Sequence, residues 1–149
     1  MAPEGMVHAL EQAHRVLRPG GMLADIRPDR LRGREEVGLP VIYGVTDREA
    51  VVIGQVGKTE ARLRSYALAD AAVDDVERRG LFIVESVERF PFATFFRSPD
   101  VFDTYADAYW KSSVIDDATR IRVRAAVRDD PSREIVVVEP VRLNVMGKG

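Results

Sequence analysis

Arg27 and Asp29 are the charged residues best placed to meet a small ligand. They close the run Met22-Leu23-Ala24-Asp25-Ile26-Arg27-Pro28-Asp29, whose start reads as a mostly buried strand. Buried charge is costly unless it is paired. The carboxyl end of a strand is also where open α/β sheets place their ligands. Arg27 with Asp29 is therefore either a substrate-side contact or part of a structural ion pair. A second group is aromatic: Phe95, Phe96, Tyr105, Tyr109 and Trp110. Rings at helical spacing usually pack as core. Trp110 differs in ending a helix beside Lys111, which makes it the best pocket candidate of the five.

Other chemistries find less support. Val51-Val52-Ile53-Gly54-Gln55-Val56-Gly57-Lys58-Thr59 ends like a phosphate loop. The nucleotide-binding version needs glycine where Val52 stands, and a hairpin exit followed by a helix explains the same residues. His8 and His14 point in different directions on a helix, so no shared metal site is expected. There are no cysteines, which removes disulfides, thiolate metal sites and a cysteine nucleophile. No Gly-x-Ser-x-Gly elbow is present. Arg27, Arg30, Arg32 and Arg34 cluster as either a solvated loop or an anion-binding patch. Lys and Arg total 22 against 24 Asp and Glu, a formal charge of -2, so no basic excess points to nucleic acid. No apolar run suggests a membrane partner, and no signal-peptide pattern opens the chain. A cytoplasmic location is expected.

The elements that must hold these residues alternate. Pro3 to Leu17 places Met6, Leu10, Ala13 and Leu17 on one helical face. Arg18-Pro19-Gly20-Gly21 stops that helix and turns into the strand at Met22, which Pro28 ends. Leu39 to Val45 and Ala50 to Val56 flank Thr46-Asp47-Arg48-Glu49 and read as a hairpin. Glu60 to Arg79 reads as a helix whose buried stripe is Ala69, Ala72, Val73 and Val76, stopped by Gly80. Leu81 to Val87 is a core strand running on towards Phe92. Ser98 and Asp116 cap helices reaching about Trp110 and Arg128. Ile135 to Val145 is the last strand, apolar on both faces at its start. The 149 residues suit one domain, with 46% apolar and 31% charged residues.

The stretch Ala9-Leu10-Glu11-Gln12-Ala13-His14-Arg15-Val16-Leu17-Arg18-Pro19-Gly20-Gly21-Met22-Leu23 resembles the segment between the fourth and fifth strands of class I S-adenosylmethionine-dependent methyltransferases. Arg15, Pro19, Gly20 and Gly21 carry the motif. Glu77-Arg78-Arg79-Gly80-Leu81-Phe82 resembles the approach to the family's sixth strand, and Ile135 to Val141 its seventh. The resemblance implies an α/β fold: a partial Rossmann-like methyltransferase sheet of strands five to seven, the last one antiparallel. A hairpin insertion at 39–56 and a helical insert at 98–130 would be added to a single truncated domain spanning 1–149. In the family the region of the insert often walls the acceptor substrate, which would put Phe96, Tyr109 and Trp110 beside Arg27 and Asp29 on the substrate side.

The same resemblance implies S-adenosylmethionine as cofactor and methyl transfer to a small-molecule acceptor. It also implies that binding is not expected in this chain alone. The family's glycine-rich loop and its ribose-binding acid precede the matched region, so no cofactor-binding or catalytic residue is assigned. A half-sheet leaves apolar faces uncovered, at roughly 25 cal/mol per Å². The expectation is a homodimer, a missing amino-terminal half, or a marginal fold. The alternative function is a non-catalytic remnant or dimerising interaction module.

Overall fold

The computed structural model describes residues 3–29 and 38–149, with side chains described from Gly5 onward. In chain order the elements are α1 (Pro3–Val16), β1 (Met22–Pro28), β2 (Val41–Val45), β3 (Ala50–Gln55), β4 (Gly57–Lys58), α2 (Glu60–Arg78), β5 (Phe82–Phe96), α3 (Pro99–Tyr109), β6 (Ser113–Val114), α4 (Asp117–Asp129) and β7 (Glu134–Lys148). This is a mixed α/β fold in which helices interleave with a multi-stranded, partly antiparallel sheet. Among the described residues no helix is long and apolar enough to cross a membrane. The chain divides into two compact units. Of the described residues, one takes 3–29, Ala61–Phe90 and Val141–Gly149; the other takes Gly38–Glu60 and Pro91–Pro140.

In the first unit, α1 and α2 each end on a glycine turn. Gly20 and Gly80 both have φ near +72°, a left-handed conformation that other residues rarely adopt. Gly21 follows within touching distance of Leu17 and Arg18, and a Cβ there would lie 2.8 Å from the Arg18 carbonyl oxygen. β1 pairs antiparallel with the second half of β7, from Met22 opposite Gly147 to Pro28 opposite Val141. Lys148 N–H donates to the Gly21 carbonyl and Gly149 N–H to the Leu81 carbonyl, 2.9 and 3.0 Å. Successive N–H groups of an extended strand point to opposite edges. β7 therefore has β1 on one edge and β5, with which it also pairs, on the other.

Side chains alternate across these strands. Leu23 and Met146 share one face, where Val7, Leu10, Ala13 and Leu17 of the α1 segment and Val73 and Val76 of α2 pack with Phe82. Both helices thus cover the same face. On the other side Met22, Ile26 and Ile83 are 60%, 63% and 60% exposed.

In the second unit, β2 and β3 form an antiparallel hairpin with a bulge between Ile42 and Tyr43. Its turn is held by Thr46, whose Oγ1 accepts from the N–H groups of Arg48 and Glu49. The first half of β7 adds to β2, Val41 opposite Val138 through Val45 opposite Glu134. Ile135 and Val137 from β7 join Ile42, Val56, Phe96, Phe102 and Val123 in the core. Ser98 caps α3 by accepting from Val101 N–H, and Asp116 caps α4 by accepting from Thr119 N–H at 2.6 Å.

Candidate functional site

The polar end of the covered face in the first unit brings charged groups together. Going along β1 from Leu23, the same face presents Asp25 and then Arg27; opposite them on β7 stand Asn144 and Arg142. The facing stripe of α2 changes in step, from Val76 and Val73 to Asp70 one turn earlier. Arg27 Nε lies 3.0 Å from Asp25 Oδ2, and its Nη1 3.1 Å from Asp70 Oδ1. Arg142 donates to the same Asp70 carboxylate, and Asn144 Nδ2 donates to Asp25 Oδ2 at 2.7 Å. Burial lowers the Arg27 guanidinium from its ordinary value; Asp25 and Asp70 oppose that, Arg142 adds to it, and Asp74 opposes it. An arginine stays protonated throughout. Within the cluster each arginine faces a carboxylate, so its charges are largely balanced against one another.

Asp29, just beyond β1, is 3% exposed and accepts from Arg89 Nε of β5 at 3.1 Å. Its Oδ1 has no hydrogen-bond partner among the described residues, nor does Arg142 Nε. Arg27 and Asp29 thus take separate partners, Asp70 for one and Arg89 for the other. Arg89, Arg142 and Asn144 then meet Val73, Glu77, Val84 and Val87 around a cleft of about 200 Å³. Sequence reasoning missed Arg89, Arg142, Asn144 and Asp70. The signals existed: Asp70 interrupts the apolar stripe of α2, and Arg142 and Asn144 alternate with Val141, Leu143 and Val145 in β7.

The aromatic group lies in the second unit. Phe96 is 3% exposed and packs edge-to-face on Phe102, Tyr105 and Trp110, with centroids 5.4, 5.3 and 5.9 Å apart. Such geometry suits ring quadrupoles. Tyr109 is 73% exposed and touches only Tyr105 among the rings. Trp110 and Ile115 line a second cleft of about 210 Å³ with Asp107, Lys111, Ser113 and Arg120. Its charges are engaged. Arg120 bridges Asp103 and Asp107, and Lys111 Nζ donates to the Asp107 carbonyl. Burial alone would lower the Arg120 guanidinium, but its hydrogen bonds to Asp107 and Asp103 outweigh that and raise it.

Lys58, the lysine of the phosphate-loop-like run, sits in β4 against β6. Its Nζ lies 3.3 Å from Glu139 Oε1 and 3.4 Å from Ser113 Oγ. His8 reaches Glu11 at 3.9 Å, and the His14 ring meets Phe82 edge-on, so the two histidines part. No group of metal-binding side chains occurs among the described residues. Arg15 donates to Gln12 on the surface of α1, while the turn at Pro19, Gly20 and Gly21 sets the start of β1. Arg30, Arg32 and Arg34 lie outside the described residues. Compared with family models, curated proteins and solved structures, the chain matches none.

Proposed function

We propose that this chain carries the carboxyl-terminal part of a class I S-adenosylmethionine-dependent methyltransferase fold, with β1, β5 and the second half of β7 in the places of the fifth, sixth and seventh strands. The part of β7 that pairs with β1 is Val141 to Gly147, not the expected Ile135 to Val141, whose beginning pairs with β2 instead. The supporting observation is the strand arrangement of the first unit. β7 runs antiparallel to β1 and has β1 and β5 on opposite edges, while α1 and α2 cover one face only. The other face keeps Met22, Ile26 and Ile83 open to solvent. Among the described residues β1 has a neighbour on one edge only, and its other edge is where a fourth strand of the same architecture would pair.

The residues present do not fit the cofactor. A dinucleotide-type or nucleoside-type cradle needs a glycine turn leading from strand into helix. The two left-handed glycines here, Gly20 and Gly80, both lead from helix into strand. Asp29, the acid beyond β1, is held by Arg89. No catalytic step is therefore derived from these residues. The chain supplies the back of the sheet and, through Arg27 and Asp29 at the end of β1, part of the acceptor side for a small molecule. The methyl donor's walls come from a complementary segment.

The test compares the 149-residue chain with a polypeptide that also includes whatever the DNA encodes in frame ahead of Met1. Calorimetry with S-adenosylmethionine is expected to give micromolar binding for the extended polypeptide and none for the shorter one. Binding by the shorter chain would overturn the assignment of the cofactor walls. Upstream DNA lacking a strand, a glycine-rich loop and a later acidic strand end would overturn the methyltransferase reading. A tight homodimer of the 149-residue chain that buries Ile26 and Ile83 would favour an interaction module instead.

A further inference from the structure

We infer that the cleft between α2, β5 and β7 in the first unit binds a small monocarboxylate with a short branched apolar chain. Its carboxylate would sit on Arg89 and Arg142. The inference concerns a site that the methyltransferase reading does not use, and it stands or falls separately.

The walls divide by chemistry. Val73, Val84 and Val87 give the cleft apolar lining, while the half-exposed Arg89 and the buried Arg142 bring two positive charges to its wall. Arg142 is 3% exposed, yet its Nε has no hydrogen-bond partner among the described residues. Burying a guanidinium with an unused donor is costly. A bound carboxylate nearby would offset that cost electrostatically. Arg89 is half-exposed, and its described ion pair to Asp29 runs through Nε alone. Among the described residues no hydrogen bond uses its two Nη groups, and a carboxylate matches guanidinium geometry in pairs.

The acids that neutralise these arginines, Asp29 and Asp70, do not line the cleft. They hold each guanidinium from outside it, so they are positioning residues. Glu77 does line the cleft, and its negative charge disfavours a dianion. That selects a single carboxylate over phosphate or a dicarboxylate. The three valines select an apolar tail.

The experiment is an amide NMR titration of the full chain with isovalerate, against chloride at matched ionic strength. Saturable shifts gathered on Val84, Val87, Arg89 and Asn144 are expected, with Kd about 1 mM. Isoamyl alcohol and inorganic phosphate should not reproduce them. Val87→Trp fills the cleft without changing charge and is expected to abolish the response while the spectrum stays dispersed. Arg89→Gln should weaken binding at least about tenfold, the scale of one charge-assisted contact. Shifts that never saturate, an unchanged response in Val87→Trp, or stronger binding of phosphate would each overturn the inference.

Discussion

Asp70 bears the most at the level of single residues, because two arginines lean on one carboxylate. Arg27 and Arg142 are opposite each other in the β1–β7 register, and Asp70 is the α2 acid that meets both. Asp70→Asn leaves two mostly buried cations facing each other, and a loss of about 3 kcal/mol is expected in urea unfolding. Replacing Asp70 and both arginines together by apolar residues should recover most of it. Asp116 gives a pH prediction. Hydrogen bonds from the Thr119 side chain and backbone hold its carboxyl below the ordinary value. The stabilisation is therefore full above the ordinary carboxylate value and disappears as pH falls through the lowered one. Protection of the Thr119 amide against exchange, taken relative to the intrinsic rate at each pH, should fall over that acid window, and in Asp116→Ala it should be low at every pH. The sequence announced that Arg27 and Asp29 needed partners. It did not announce which, because Asp70 and Arg89 are brought to them only by the return of α2 and β5 to the sheet.

Elements were more legible than partners. The caps at Ser98 and Asp116 and the glycine stops at Gly20 and Gly80 act locally, so their residue types alone place the helix ends. β5 shows where local signals mislead. It runs from Phe82 to Phe96, four residues beyond the Phe92 expected, and it passes through Pro91 without ending. Proline is tolerated where a strand's N–H has no partner to lose. β4 and β6, two residues each, are too short to leave any periodicity. The α3–α4 hairpin is clasped by Asp103, which accepts from both Arg120 and Arg124 at 2.5 Å. Asp103→Ala should destabilise by about 1 kcal/mol after solvent screening. Asp100 is far more exposed, and its substitution should leave the thermal melt unchanged.

Across the whole molecule, some large apolar side chains of the strands stand open to solvent. Met22, Ile26 and Ile83 lie on the face opposite α1 and α2. Exposed apolar side chains of this size are available to a hydrophobic dye or to a second copy of the chain. The double variant Ile26→Lys, Ile83→Lys is expected to bind less of a hydrophobic dye and to scatter light as a smaller species. Its unfolding midpoint should barely move, since exposed positions tolerate substitution. A large drop in that midpoint would mean these side chains support the fold itself.

β7 meets β1, β2 and β5, yet it follows all three in the chain. Met22 must wait for Gly147 before either has its neighbour. During synthesis the earlier strands emerge with their edges bare, and neither unit acquires its finished hydrogen-bonding pattern until the ribosome has delivered this late segment. Such long-distance pairing slows folding and lengthens the time in which nascent chains can stick to one another. The cell's chaperones would encounter this protein chiefly in that interval.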